Sequence, residues 1–338
     1  MNLNLDSHNH ILVCPLDWGL GHSTRCIPLI DQFLRLGKQV SIAGNGGSLE
    51  LLKLEFPDLI FFELPAYNIS YPKKGKYFLW HMGFQSKKIL QAILREKKEV
   101  ERILENSSID LILSDNRFGC YHKDIYSVFL SHQVNMSLPQ GFNWLNRINK
   151  QFISRFNELW IPDFEGPDNL TGELSNAEGM DAKYIGPLSR FKRCEKSTNM
   201  TYDLLCILSG PEPQRSIFEA AVRRKMLSSK LKCALLRGVP NEPSKSKFEN
   251  IDIWGHLRGT DLNDLINQSK WVLCRAGYSS IMDLYQLQKE AILVPTPGQT
   301  EQEYLARYLD GRKGFTFINQ DELERFVFED ELRNVFAN

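Results

Sequence analysis

The chain has 338 residues, more than one hydrophobic core serves comfortably, and its 41 Lys plus Arg balance 41 Asp plus Glu to a formal net charge of zero. Two domains are therefore expected, and no global field favours nucleic acid. With 42% hydrophobic, 24% charged and 11% aromatic residues, the composition excludes intrinsic disorder, collagen and coiled coil. Cysteines at 14, 26, 120, 194, 206, 233 and 274 form no C-x-x-C or Cys/His cluster, which argues against a disulfide framework or a zinc site and for a reducing cytoplasm. Residues 1–10 lack the basic start and apolar stretch of a signal peptide, and no run approaches the roughly 20 apolar residues of a spanning helix.

In chain order, Ile11–Leu16 reads as a strand, followed by a glycine-containing turn and a helix carrying Ile27, Leu29, Ile30, Phe33 and Leu34. Strands are predicted at Gln39–Ala43, Leu59–Glu63, Ile109–Ser114, Ser127–Ser131 and Leu159–Ile161, and helices at Gln85–Leu104 and Asn143–Phe156. The alternation lapses at Pro162–Asn169 and resumes with Tyr202–Leu208. Strands at Lys232–Leu236, Ile251–Trp254, Trp271–Cys274, Ala291–Val294 and Phe315–Ile318 then alternate with helices at Asp261–Gln268, Ser279–Leu287 and Glu301–Leu309. Alternating strands and helices imply parallel sheets covered on both faces: an α/β chain of two Rossmann-like domains facing a central cleft. We expect domains at 1–165 and 201–338 joined by a hinge at 166–200.

Open parallel sheets bind ligands beyond the carboxyl ends of their strands, so the loops that follow strands are the candidates. The first, Asp17–Thr24, carries Gly19, Gly21 and His22; it lacks the third glycine of a dinucleotide fingerprint, so NAD is disfavoured. His22 at a helix start is a candidate base, with capping or packing as the plainer alternative. Asp115, in the second loop directly after the predicted strand, is suited to orient His22, though turn formation would equally explain an aspartate there. The third loop offers Ser209 and Gly210 for close approach of a phosphate or sugar, with Arg215 adding charge. In the fourth, Arg275 ends a strand, Gly277 turns the chain, and Ser279–Ser280 open a helix whose free N–H groups suit a pyrophosphate. Asp283, a turn later, suits ribose hydroxyls, and Glu301 and Gln302 follow in another polar loop.

These loops, in this order and spacing, resemble the GT-B glycosyltransferases, and the second half resembles the C-terminal donor domain of family 28, which includes the peptidoglycan enzyme that adds N-acetylglucosamine to a lipid-linked muramoyl peptide. The sharp part is Arg275-Ala276-Gly277-Tyr278-Ser279-Ser280 through Asp283, followed by Gln302. The resemblance implies Asp283 as the ribose-binding acid, Gly277, Ser279 and Ser280 as the diphosphate helix start, and Glu301 and Gln302 as donor-sugar contacts. Gly21 and His22 match the Gly-His of the acceptor loop, Asp115 the aspartate behind that histidine, and Arg190, after Gly186, the start of the donor-domain linker. The family's Gly-Gly-Thr-Gly-Gly-His loop is here Asp17-Trp18-Gly19-Leu20-Gly21-His22, and its Gln-Gln pair is Gln302-Glu303.

The implied activity is inverting transfer of a hexosyl group from a nucleotide-diphosphate sugar, uracil being the family's usual base, to an acceptor hydroxyl on a lipid-linked or glycan molecule in cell-envelope synthesis. No cofactor and no metal are expected, since the helix dipole at Ser279–Ser280, with Arg275, neutralises the leaving diphosphate. A nucleotide-sugar 2-epimerase and a non-catalytic sugar-nucleotide binding protein are the alternatives. Residues 73–98 carry eight basic residues and one acidic residue among Tyr77, Phe78, Leu79, Trp80, Met82 and Phe84. A solvated helix face is the favoured reading of that stretch; peripheral contact with anionic lipid at the inner membrane face is the alternative.

Overall fold

Ile11, Leu12, Val13 and Cys14 are completely shielded from water, as a strand covered on both faces requires. They form the heart of β1 (His10–Pro15), after which follow α1 (Gly21–Arg35), β2 (Gln39–Gly44), α2 (Gly46–Glu55), β3 (Ile60–Glu63), α3 (Phe78–Glu105), β4 (Leu111–Asp115), β5 (Tyr126–Leu130), α4 (Trp144–Ile153), β6 (Glu158–Ile161) and β7 (Ala182–Tyr184). A computed structural model describes residues 5–67, 78–138, 141–193, 200–210, 212–239, 245–329 and 332, the side chains of 78–86 excepted. The strands make one sheet in the order β3-β2-β1-β4-β5-β6-β7, and every pairing is parallel. Leu12, Cys14, Ala43 and Ile112 pack with Val100 and Ile103 of α3 to cover one face.

The second sheet begins with β8 (Tyr202–Ile207), followed by α5 (Gln214–Leu227), β9 (Cys233–Leu236), β10 (Ser246–Phe248), β11 (Ile251–Trp254), α6 (Gly259–Asn267), β12 (Ser269–Cys274), α7 (Tyr278–Gln286), β13 (Ala291–Leu293), α8 (Thr300–Leu309) and β14 (Phe315–Phe317). Its order is β10-β11-β9-β8-β12-β13-β14, parallel except for the β10–β11 hairpin. Phe218, Val222, Leu235, Leu273 and Ile292 build its core with Phe326, Phe328 and Leu332. Burying each such side chain contributes about 1.5–3 kcal/mol, which offsets the entropy of ordering the chain.

The chain thus has the expected α/β architecture of two Rossmann-like sheets. It divides into Met1–Leu188 and Ser189–Asn338. The division falls inside the stretch 166–200 read as a hinge, and β7 in that stretch is an edge strand of the first sheet. The helix α2 escaped the sequence reading because it opens on Gly46-Gly47, which reads as a turn. Asp17 explains it: its carboxylate accepts the backbone N–H of Ser48 at 3.0 Å and so caps the helix from a distant loop. A side chain on Gly46 would strike that carboxylate, and its φ of +58° lies in the left-handed region.

Each sheet has one place where strand order reverses, between β1 and β4 in the first and between β8 and β12 in the second. Connections leave in opposite directions there, which opens a crevice at the strands' carboxyl ends. The four candidate loops follow these four strands. Among the described residues no helix is long and apolar enough to cross a membrane.

Candidate active site

At the first reversal, β1 and β4 lie side by side with Pro15 opposite Asp115. The loop after β1 returns as α1, whose second residue is His22. Its Nδ1 lies 2.9 Å from Oδ1 of Asp115. Asp115 is fully buried, whereas the His22 side chain keeps 14% of its surface exposed. We assign the ring proton to Nδ1, where it donates to the carboxylate; among the described residues Nε2 has no hydrogen-bond partner. Gly19, with φ +77°, supplies the left-handed turn before the helix, and Gly21 is the helix's first residue.

Two further residues complete the cluster, and the sequence reading missed both. Arg25, one turn along α1, is 2% exposed and grips Asp115 with a fork: Nε donates to Oδ2 at 2.7 Å and Nη2 to Oδ1. Its Nη1 donates to Nδ1 of His132 at 3.0 Å, just past the end of β5. The available signal was a lone arginine three residues after His22 on a helix face otherwise made of Cys26, Leu29 and Ile30. Burial would raise the Asp115 pKa, but Arg25 and then His22 outweigh it and hold the carboxyl well below the usual range. The His22 pKa is lowered: burial is the main cause, Asp115 opposes it, and Arg25 and His132 add to it.

A second buried network backs this loop. Asn116, at φ +58°, turns the chain after β4 so that Arg117 meets different partners. Its Nε donates to the Pro15 carbonyl at 2.8 Å, Nη1 to Glu96 at 2.6 Å, and Nη2 to Asn45. Glu96 also accepts Tyr67 Oη at 2.8 Å and the Gly119 N–H at 3.1 Å. The acidic residue of the basic stretch 73–98 is therefore an internal anchor of α3. Lys87, Lys88, Leu90, Leu94, Arg95 and Lys98 face solvent, while Lys73–Tyr77 and the side chains of Phe78, Leu79, Trp80, Met82 and Phe84 lie outside the described residues.

At the second reversal, β12 ends in Cys274 and the chain turns through Arg275, Ala276 and Gly277 into α7. Gly277 is the N-cap with no side-chain cap, so the first-turn N–H groups have no side-chain acceptor from that position, and Ser279 and Ser280 are half-buried beside them. A Cβ on Gly277 would meet nothing within 4 Å, so the backbone faces open space. Ser209 and Gly210 are exposed just after the neighbouring β8; Pro211 lies outside the described residues. Arg215 does not face outward, being held by Glu212 and by the Arg237 carbonyl at 3.2 Å.

Arg275 differs from its expected place against a diphosphate. It is 1% exposed, lies 4.0 Å from the Phe218 ring centroid, and donates to the carbonyls of Val294, Pro295 and Gln214 and to Gln320 Oε1. Its charge ties together the loops after β12 and β13. Gln302 is likewise turned inward: its Oε1 accepts the Thr296 N–H at 2.9 Å, while Glu303 accepts the Gly298 N–H at 2.8 Å. Glu301 is half-buried at the start of α8. Asp283 accepts Ser189 Oγ at 2.5 Å. Burial pushes its pKa up to about 7, against the opposing Ser189 hydrogen bond and the charge of Arg190, which itself lies over the Phe191 ring.

Residues 230–338 match the glycosyltransferase family 28 C-terminal domain. An uncharacterized glycosyltransferase of Methanosarcina mazei is 22% identical over 317 residues, covering 86% of this chain and 81% of the relative. The UDP-N-acetylglucosamine–N-acetylmuramyl-(pentapeptide) pyrophosphoryl-undecaprenol N-acetylglucosamine transferase of Legionella pneumophila is 24% identical, covering 90% of this chain and 82% of that one. Among solved structures, a spinosyn rhamnosyltransferase complexed with thymidine diphosphate superposes with a TM-score of 0.65 at 13% identity, covering 97% of this chain and 92% of that chain. MurG of Acinetobacter baumannii gives a TM-score of 0.57 at 12% identity, with 94% and 89% covered. At such identities the solved structures speak for the fold alone. The family 28 match over residues 230–338, glycosyltransferase relatives along most of the chain, and the shared architecture together support a GT-B glycosyltransferase of the family 28 type.

Proposed function

We propose that the protein transfers a hexosyl group from a nucleoside-diphosphate sugar, with uridine as the base, to an acceptor hydroxyl with inversion at the anomeric carbon. The observation that carries this reading is the 2.9 Å contact of His22 Nδ1 with Asp115 at the first strand-order reversal, which assigns the lone pair to Nε2 of a side chain that keeps 14% of its surface exposed. The acceptor O–H proton passes to Nε2 as the oxygen bonds to the anomeric carbon. The bond from that carbon to the diphosphate breaks on the opposite face, and its electron pair leaves with the nucleoside diphosphate. A lowered imidazole pKa keeps His22 unprotonated and competent through neutral pH.

The C-terminal unit holds the donor in this reading. First-turn N–H groups of α7 at Tyr278, Ser279 and Ser280 receive the diphosphate, and the helix dipole favours its charge without a metal. Asp283 receives the ribose hydroxyls, giving up Ser189. Glu301 contacts the donor sugar, while Arg275 and Gln302 shape the surrounding loops, and Ser209 and Gly210 flank the diphosphate. The loop leading to His22 exposes Trp18 and Leu20, each at 41%, which suits an acceptor with an apolar portion such as a lipid-linked glycan of the cell envelope. The Legionella relative, whose name pairs a UDP-sugar with a polyprenol-linked acceptor, supports the same class. His22→Ala tests the reading: turnover falls on the order of 10²–10⁴-fold while nucleotide-sugar affinity, measured by calorimetry, is kept. Unchanged turnover removes His22 from the mechanism.

A further inference from the structure

We propose that Arg25 is the positioning residue of the N-terminal site, its guanidinium fork fixing the Asp115 carboxylate in the place from which it orients His22. The inference rests on the reading of His22 as the base and specifies how that base is set. In a simple carboxylate–imidazole pair the negative charge stabilises the protonated ring and raises its basicity. Here the anion is already matched: a guanidinium 2% exposed takes both oxygens of a carboxylate with no exposure at all. The planar fork suits this task, since Nε and Nη2 can bind two oxygens at once, which a lysine ammonium cannot do with defined geometry.

The same Nη2 lies 2.9 Å from His22 Nδ1, so the cation and the imidazole share Oδ1. Adding a proton to the ring would place a second positive charge against the first in a buried setting. The groups facing His22 come from three elements: Arg25 from α1, Asp115 from β4, and His132 from the segment after β5. Cys26 Sγ, from the same helix, lies 3.5 Å from Oδ2 of Asp115. Nη1 lies 3.0 Å from His132 Nδ1, which anchors the third arm of the guanidinium. The site is therefore a triad closed by an internal cation.

The test is a histidine Cε1–H titration by NMR on the full chain, with His22 identified by the signal lost in His22→Gln. The expected wild-type midpoint lies below the ordinary 6.5. In Arg25→Gln it rises by about one pH unit, and the acid limb of kcat/KM moves with it. Arg25→Lys keeps a cation without the fork, so the midpoint stays near wild type while kcat falls at constant KM. A folded Arg25→Gln protein with an unmoved midpoint, or an Arg25→Lys protein with unchanged kcat, overturns the proposal. Should Arg25→Gln not fold, Arg25→Lys decides: a fall in kcat at constant KM supports the positioning role, and unchanged kcat overturns it. Turnover that survives His22→Ala would sink the base assignment separately, because the titration needs no acceptor.

Discussion

A carboxyl group held near neutrality is an uncommon ligand for ribose, and Asp283 is such a group. Its folded pKa of about 7 stands above the ordinary 3.8. The native state therefore keeps a proton that the unfolded chain releases, so this residue favours folding most at low pH and loses that contribution as pH rises through about 7. If the ionised form receives the ribose hydroxyls, affinity for a UDP-sugar increases about tenfold between pH 6 and pH 8, since the ionised fraction grows by that factor. Asp283→Asn flattens the profile by calorimetry and, in urea unfolding at pH 8, is at least as stable as the wild type. A pH-independent affinity would separate Asp283 from the ribose. His22 and Asp115 were legible because each sits where a strand gives way to a loop. Arg25 and His132 were not, since their importance lies in contacts between residues 90 and 107 positions apart.

Two glycines show how elements divide their tasks. Gly277 has an ordinary φ of −80° and empty space where a side chain would go, so nothing in the fold requires glycine there. Gly277→Ala is expected to leave Tm within about 2 °C of wild type while weakening donor binding on the order of tenfold, because the methyl group stands at the entrance of α7. Gly119 is the opposite case: a Cβ would lie 2.4 Å from the Ile93 carbonyl and 2.6 Å from Glu96 Cβ. Gly119→Ala should destabilise by about 1–3 kcal/mol in urea unfolding. Strands such as β1 and β12 were readable from apolar runs bounded by turns. By contrast, α2 depends on Asp17 from another loop, and β7 is three half-buried residues with no pattern of their own. The surroundings of Arg275 were not legible either: a strand-end arginine reads as an anion ligand, and only the fold shows Nη1 and Nη2 turned to four acceptors inside its own unit.

For the whole molecule, a thermal-shift panel of UDP-, dTDP- and GDP-sugars identifies the nucleotide directly. A ligand at one hundred times its Kd adds about 2.7 kcal/mol of stability, and the uridine arm is expected to give the largest shift. Transfer measured with that donor should be unchanged by EDTA if α7 alone balances the diphosphate; loss of turnover restored by a divalent ion would contradict this. The two-sheet architecture was accessible from the sequence because alternation is a local signal repeated along the chain. Charge placement was not, and here the left-handed turn at Asn116 matters. On either side of it, Asp115 and Arg117 enter two sealed compartments with opposite requirements, one built around a guanidinium and one around Glu96. A slip of β4 by one position would take Asp115 away from Arg25 and Arg117 away from Glu96, leaving buried charges without their partners. Two separately paired charges thus favour a single alignment of the central strand, because any other register strands a carboxylate and a guanidinium away from water without a counter-ion.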